Sequence, residues 1–289
     1  MRKLIVVGVC LLSVRLAAAT APELAAAGNA ALMRGDADAA AAAYEKAVAS
    51  DPNNARYHLM LGEAYGTLAQ KASLFSKAGL AKKTKEEFER AVQLDPNLID
   101  ARMSLIDYYL FAPGFMGGSE EKALAQAGEI RKRDALDGHR AFARVYLHQK
   151  KPDVARKEVV DAVREQPKSA KAHYILGVFL MSNDKNWSGS LHEFDMALEL
   201  DPKYMPAYFR IGQNAVNAET NYARAEESLR KYLAYTPAMD EPNLASAWYW
   251  LGRLQEKMGK KAEAKQSYGK ALALAPDSAQ VKEALQRVS

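Results

Sequence analysis

The stretch WSGSLHEFDMALELDPK, residues 187–203, combines an amphipathic helical pattern with a proline that closes it, Pro202. Proline cannot continue an α-helix because it lacks a backbone N–H and its ring clashes with the preceding turn. The same pattern recurs in GDADAAAAAYEKAVASDPNN, residues 35–54, and in KKTKEEFERAVQLDPN, residues 82–97. The sequence therefore predicts one helix, with one closing signal, repeated along the chain.

The closing prolines give the period of the repeat. They are separated by 44, 71, 35, 35 and 39 residues, at Pro52, Pro96, Pro167, Pro202, Pro237 and Pro276. The interval of 71 residues contains one degenerate repeat end, where Ala135 replaces the proline. Another helical pattern precedes each closing helix, as in HYILGVFLMS at 173–182 and WYWLGRLQEKMG at 248–259. Each unit is therefore predicted to be a pair of helices.

This pattern resembles the tetratricopeptide repeat, a helix–turn–helix unit of about 34 residues. Two helices approach closely only where side chains are small, and the small first-helix position of that family is occupied here by Gly28, Gly62, Ala143, Gly177, Gly212 and Gly252. Ile106 departs from the pattern in the third unit. The resemblance implies an all-α, right-handed α-solenoid whose neighbouring hairpins bury apolar surface between them. We place a solenoid at 20–278 and a capping helix at 279–289, with units at 21–54, 55–98, 99–137, 138–169, 170–204, 205–239 and 245–278.

Residues 1–19 have the order of a secretory signal peptide. Arg2 and Lys3 precede an apolar run, and three alanines ending at Ala19 supply the small residues of a cleavage site. The apolar run is shorter than the roughly 20 residues that a membrane-spanning helix needs. We therefore expect cleavage before Thr20 and export, to a bacterial periplasm, without a membrane span.

Such cleavage would leave a nearly neutral chain without thiols. The whole sequence has a net charge of +5, and the leader carries three of the positive charges and the single cysteine, Cys10. The resulting mature charge of +2 gives no basis for nucleic-acid binding. A chain without cysteine forms no disulfide and no thiolate metal site.

A glycine-rich turn, APGFMGGSEEKA at residues 112–123, opens a predicted helix and so invites comparison with a phosphate-binding loop. Glu120 and Glu121 at the start of this helix would repel a phosphate, and no Gly-Lys-Ser/Thr run follows. Ser119 is instead predicted to cap the helix. The stretch is therefore interpreted as a turn between the two helices of unit three.

No motif for catalysis or metal binding is complete. His192 and Glu193 begin like a zinc-protease motif, but Met196 stands where the second histidine is required. His58 and His173 occupy a first-helix position where the family often has an aromatic residue, which favours a packing role. We therefore predict a non-enzymatic protein that needs no cofactor and no metal.

Large apolar side chains lie on the inserted segments of units two and three. Phe111, Phe115 and Met116 belong to the turn of unit three, and Leu74 and Phe75 belong to an insertion in unit two. We expect the two insertions to pack on each other and bury these side chains. The alternative is an exposed apolar patch that binds a partner.

The resemblance also implies that the first helices line the concave surface. Units two and three then present a mixed to acidic strip that includes Glu63, Asp100 and Asp107. In units four to seven Asp137 is the only evident acid of this surface. These later units present a basic and aromatic set, Arg140, Arg144, Lys171, Tyr174, Phe209, Arg210, Gln213, Tyr249, Trp250 and Arg253.

Tyr, Trp and Arg are the residue types that dominate binding hot spots. We therefore interpret the basic and aromatic set as a site for a segment of another protein that carries acidic and apolar side chains. The predicted function is an exported adaptor in envelope assembly, secretion or cell-wall complexes, by resemblance to other exported repeat proteins. Tyr and Trp also stack on sugars, so a glycan-binding or polysaccharide-export accessory protein is the alternative.

Overall fold

The computed structural model describes the backbone of residues 19–238 and 241–289. The predicted signal peptide falls almost entirely on residues 1–18, which lie outside the described part. Within the described part the fold is all-α, with fifteen α-helices and no strand. They form seven successive hairpins and a final helix: α1 Ala21–Met33 with α2 Ala37–Ser50, α3 Ala55–Lys71 with α4 Leu74–Leu94, α5 Ile99–Phe111 with α6 Glu120–Arg131, α7 Ala135–His148 with α8 Pro152–Glu165, α9 Ala170–Phe179 with α10 Trp187–Leu200, α11 Met205–Ala218 with α12 Tyr222–Leu233, α13 Leu244–Lys257 with α14 Lys261–Leu274, and α15 Ala279–Arg287.

The two helices of each hairpin pack on each other, and the second helix of each hairpin packs on the first helix that follows, which makes the chain an α-solenoid. The first and last hairpins also meet. A Cβ added to Gly35, in the turn after α1, would lie 3.0 Å from Oδ2 of Asp277, in the loop after α14. Lys71 Nζ, at the end of α3, donates to the Gly35 carbonyl at 3.5 Å. The two ends of the solenoid therefore lie close together at Gly35 and Asp277.

The small first-helix residues allow the helices of a hairpin to touch. A Cβ at Gly62 or at Gly177 would lie 2.6 Å from the ring of Phe88 or of Phe194 respectively, closer than non-bonded carbon atoms approach. The aromatic ring of the second helix thus packs directly on the backbone of the first. This contact explains why glycine recurs at this position.

A hydrogen bond to the closing proline ties each of several units to the unit before it. The donor is a first-helix side chain six residues after the proline, and the acceptor is the proline carbonyl. The pairs are His58 with Pro52 at 3.0 Å, Arg102 with Pro96 at 2.9 Å, His173 with Pro167 at 3.1 Å and Tyr208 with Pro202 at 3.1 Å. Nδ1 of His58 and of His173 also lies 2.6 Å from a glutamate oxygen on the second helix of the same unit. Each of these buried histidines therefore connects the two helices of its own unit and the preceding proline.

The insertion of unit two is helical. Helices α3 and α4 contain 17 and 21 residues, and only Ala72 and Ser73 separate them. The insertion carries few residues that break a helix, so it lengthens both helices. The resulting hairpin reaches beyond its neighbours.

The turn of unit three follows the expectation. Ser119 caps α6 by accepting a hydrogen bond from the Lys122 N–H at 3.2 Å. A short 3₁₀ turn, Gly114–Met116, precedes it, and Gly117 has φ 96°, a left-handed conformation that favours glycine. The glycine-rich stretch is therefore a structured connection between two helices.

Candidate functional site

The concave surface contains a depression of about 480 Å³ at its centre. Helices α5, α7, α9 and α11 form its walls, and the segment before α13 contributes Glu241 and Pro242 at one side. Five residues of the basic and aromatic set line it: Arg140, Arg144, Lys171, Tyr174 and Arg210. The structure thus brings half of the predicted site together.

Two of the four cations of this depression, Arg144 and Lys171, pair with acids from a neighbouring unit. Arg144 on α7 grips Asp107 on α5 through two nitrogens, with Nη2 2.7 Å from Oδ2. Lys171 on α9 lies 2.7 Å from Asp137 and 3.4 Å from Asp134. Burial raises the pKa of Asp107, although its bond to Arg144 opposes that rise.

The expectation that Asp137 is the only acid of this half is therefore wrong. Asp107 reaches across from unit three, Asp134 lies just before α7, and Glu241 lines the depression from the segment before α13. Asp134 and Glu241 were missed because they lie in connections, outside the first-helix positions, whereas the repeat register places Asp107 in the mixed to acidic strip of units two and three. The depression carries mixed charge.

Arg210 differs from the other cations because its hydrogen-bond partners among the described residues are neutral. Its Nε donates to the Tyr174 hydroxyl at 3.3 Å, and its Nη1 donates to Oε1 of Gln213 at 2.7 Å. The Tyr174 ring lies 5.3 Å from the Tyr204 ring. Burial raises the pKa of Tyr204 well above its usual value. Arg210 is thus a guanidinium next to two aromatic rings, and the hydroxyl and amide that accept its hydrogen bonds are uncharged.

Two predicted contact residues are buried in the interior of the solenoid. Phe209 is 3% exposed and packs on Tyr232 at 5.4 Å between ring centroids. Tyr249 is 7% exposed, and its hydroxyl accepts a hydrogen bond from Gln280 at 2.9 Å. Each ring faces the next helix along the solenoid, which covers it. Phe209 and Tyr249 are therefore core residues, which corrects their assignment to the concave surface.

Trp250 and Arg253 lie away from the central depression. Both are partly buried on α13, with the Arg253 guanidinium 5.1 Å from the Trp250 ring. Arg253 instead lines a separate depression between α13 and α15, together with Glu256 and Arg287. The basic and aromatic set is consequently divided into a central group and a C-terminal group.

Glu63 marks the acidic side of the concave surface. Partial desolvation and, secondly, the negative charge of Asp100 together raise the pKa of Glu63 to about 7. The side chain itself keeps contact with solvent. A proton therefore exchanges at Glu63 near neutral pH.

The predicted burial of the apolar turn is wrong for its two phenylalanines. Phe111 is 68% exposed and Phe115 is 86% exposed, because the helical insertion of unit two passes beside the turn without covering them. Met116 is partly buried, and its carbonyl accepts a hydrogen bond from Tyr108 at 2.7 Å. The side chains of Leu74 and Phe75 lie outside the described part of the structure.

Among the residues that the structure describes, no group of three or more His, Asp or Glu side chains is arranged to hold a metal ion. His192 is exposed on α10. No helix in the described ranges is both long enough and apolar enough to cross a membrane.

Comparison with known families assigns the repeat. Models described as tetratricopeptide repeat match residues 140–204 and 245–278, and a model described as TPR repeat matches residues 28–68. Together with the helical hairpins, these matches show that the chain contains tetratricopeptide repeats. Such repeats indicate a scaffold for protein–protein interaction, a class that is typically non-enzymatic.

Solved structures support the same fold. A tetratricopeptide repeat protein from Parabacteroides merdae is 16% identical, with a TM-score of 0.51 over 93% of this chain and 98% of its own. The human IFIT1 dimer with m7Gppp-AAAA is 20% identical, with a TM-score of 0.56, and the match covers 87% of this chain and 58% of that one. The APC/C hetero-tetramer Cut9–Hcn1 gives 14% identity and a TM-score of 0.51, over 93% of this chain and 48% of that one.

Among curated proteins, none matches the sequence. At these identities the structural likeness concerns the fold alone. The present chain spans a little over half of the IFIT1 chain and about half of the matched chain of Cut9–Hcn1.

Proposed function

We propose that this protein is a non-enzymatic adaptor that holds a segment of another protein in its central depression. The observation that carries the proposal is Arg210, a cation whose described hydrogen-bond partners are neutral, at the wall of a concave depression of about 480 Å³. A guanidinium in such a place binds carboxylates well because it donates two parallel hydrogen bonds. The neighbouring rings of Tyr174 and Tyr204 supply apolar surface for the rest of the segment.

The expected partner segment carries acidic and apolar side chains. Arg210 would take a carboxylate, and Arg140 is a second candidate, because its Nε lies 3.7 Å from Asp137, a loose contact. The paired cations Arg144 and Lys171 would contribute less, since a partner would have to displace their present acids. The acids of the depression restrict where a negative partner group can lie, which favours a segment with few, well-placed carboxylates.

Site-specific crosslinking tests this proposal in the native extract. A photoreactive phenylalanine derivative placed at Tyr174 should crosslink one partner protein, whereas the same group at Val160, exposed on α8, should not. Arg210→Glu should then reduce the affinity of the identified partner by about 1–2 kcal/mol or more, a typical hot-spot loss. Equal crosslinking from both positions, or unchanged affinity of the folded Arg210→Glu protein, would rule out the central depression.

Trp250→Ala separates the two groups of predicted contact residues. If the partner extends to α13, this variant should also lose about 1–2 kcal/mol of binding free energy. If the site is confined to the central depression, Trp250→Ala binds normally while Arg210→Glu does not.

A glycan-binding function is the second candidate, and it is favoured by the aromatic rings near the concave surface. Tyr174 and Tyr204 lie side by side with centroids 5.3 Å apart, and Trp250 is partly exposed. Salt distinguishes the two functions. Binding through Arg210 should weaken as ionic strength rises, whereas stacking on a sugar should barely change.

Export to a periplasm, in envelope assembly, secretion or cell-wall complexes, is part of the proposal. Cleavage before Thr20 would leave α1 intact, because the Thr20 backbone N–H donates to Glu23 Oε2 at 2.8 Å in the capping box of this helix and the new amine would keep that partner. The new α-ammonium group would thus form an ion pair at once. A fusion of residues 1–25 to a reporter that works only outside the cytoplasm should be active, and the mature protein should begin at Thr20. Recovery of cytosolic protein that still begins at Met1 would contradict export.

A further inference from the structure

The long hairpin α3–α4 creates a second depression on the solenoid. Its extra turns stand beside the end of α5 and the 3₁₀ turn, and the space between them measures about 480 Å³. We call this depression the notch and define it by Gly66, Ala69, Ala81, Thr84, Phe111 and Met116. Its lining is predominantly apolar or small, so the notch suits an apolar side chain.

The helix contact beside the notch leaves room that the fold does not use. At Gly62 an added Cβ would lie 2.6 Å from Phe88, so packing requires glycine there. One turn further along, at Gly66, an added Cβ would approach nothing closer than Thr84 Cγ2 at 3.6 Å, an ordinary contact. Glycine at 66 therefore widens the notch without being required by the hairpin.

Exposed aromatic rings stand at the rim of the notch. Phe111 and Phe115 both expose most of their side chains, and the Phe111 ring meets the His148 ring edge-on at 5.4 Å. Large apolar side chains next to an apolar depression mark surfaces where another molecule binds. The geometry is concave, which a protein side chain can fill and a flat bilayer surface cannot.

The charge around the notch selects the partner. Residues 64–85 contain five lysines and no acid, and the acids of the notch lining are Glu63 and Asp107 at its inner side. Lys77 lines the notch, and Lys85 Nζ lies 3.6 Å from the position of a Cβ on Gly117, in the adjoining turn. Neither lysine forms an ion pair with any described residue. The rim is therefore complementary to a partner with negative charge around an apolar centre.

The notch is continuous with the central depression, since Asp107 lines both. Arg144 pairs with this aspartate, which reduces its negative charge. We propose that the notch docks an apolar side chain of an acidic, amphipathic protein segment, with the segment's carboxylates near Lys77 and Lys85. The proposal stands whether or not the central depression holds a partner, because the notch has its own lining and its own charge.

Two synthetic peptide pools test the proposal on the mature protein. Both contain fluorescein-labelled twelve-residue peptides with Leu, Met, Phe or Trp at helical i, i+3, i+4 and i+7 positions, and all other positions are Glu in one pool and Lys in the other. We expect the Glu pool to bind and the Lys pool not to bind. Ala81→Phe, which fills the notch, should weaken binding of the Glu pool at least about tenfold, a single hot-spot loss.

Charge variants keep the test valid if Ala81→Phe disturbs folding. Lys77→Glu with Lys85→Glu should also weaken binding about tenfold, whereas Lys261→Glu with Lys265→Glu, an equal charge change on exposed sites of α14, should have little effect. If binding of the Glu pool survives these notch variants but is lost in Arg210→Glu, the peptides lie in the central depression and not in the notch.

Three results would overturn the proposal. One is a Glu pool that fails to bind or binds no better than the Lys pool. Another is binding that survives Ala81→Phe and the Lys77/Lys85 double change in folded protein. The third is binding to phosphatidylglycerol vesicles that depends on Lys77 and Lys85 when neither peptide pool binds, since the surface would then be a membrane-binding site.

Discussion

Unit seven contains two helical glycines that should respond to alanine in opposite directions. Gly252 lies on α13 against Tyr268, and a Cβ there would come within 2.6 Å of the ring atoms Cδ1 and Cε1. Gly269 lies on α14 of the same hairpin, and a Cβ there would meet nothing within 4 Å. The two sites share one local environment and differ in the space available.

The magnitude follows from what holds Tyr268. Its side chain is completely buried, and its hydroxyl donates to Glu256 at 2.6 Å, so the ring cannot move away without breaking that bond. Overpacking of this kind costs about 1–3 kcal/mol, and the gain in helix propensity from glycine to alanine, about 0.5–1 kcal/mol, offsets part of it. Gly252→Ala should therefore lower the free energy of unfolding by about 1–2 kcal/mol. Gly269→Ala should raise it by about 0.5–1 kcal/mol.

Urea unfolding followed by helical circular dichroism measures both effects. The midpoint should fall for Gly252→Ala and rise for Gly269→Ala, with unchanged slopes. Because a solenoid can unfold from its end, the slope also shows whether unit seven still unfolds with the rest. If Gly252→Ala is as stable as wild type, the direct contact between ring and backbone is not what requires glycine at this position.

Three further perturbations test individual placements. Phe115→Ser should change the free energy of unfolding by less than about 0.5 kcal/mol, because the ring is exposed; a fall in the melting temperature of several degrees would mean that the ring packs. Phe209→Ala should lower the free energy of unfolding by about 3–5 kcal/mol, because the ring is buried. A near-neutral effect in urea unfolding would mean that the Phe209 ring lies on the concave surface and not in the core. Because the folded-state pKa of Glu63 is raised from 4.5 to about 7, the free energy of unfolding should decline as pH rises from 4.5 to 7. Glu63→Gln should abolish this decline. Parallel pH profiles of stability for both proteins would refute the raised pKa.

Much of the fold could be predicted because the repeat imposes local requirements that one residue type satisfies. Glycine at 177 or 252 indicates an aromatic ring packed on the helix backbone, and proline at 52 or 202 indicates the end of a helix. These patterns extend over a few residues and can be interpreted within one unit, without information on its neighbours. Helix length in unit two could not be read in the same way, since Ala72 and Ser73 are a short connection without a glycine or proline.

The candidate site was harder to predict because it depends on contacts between units. The first-helix register placed Phe209 beside Arg210, yet adjacent residues on a helix point about 100° apart. Phe209 therefore faces the following hairpin and Arg210 faces the concave surface. The acid that holds Arg144 is 37 residues away in sequence, on the preceding unit. A sequence pattern within one unit cannot show either relation.

These contacts between units also decide which cation can discriminate between partners. The Arg144–Asp107 pair is partly exposed and connects two units, and such a pair contributes about 1 kcal/mol or less to stability. A partner carboxylate at Arg144 would gain little, because it exchanges one carboxylate for another. At Arg210 the present acceptors are a hydroxyl and an amide, so a carboxylate adds charge to the hydrogen bond. Reversal of charge at Arg210 should therefore affect binding more than reversal at Arg144, although both line the same depression.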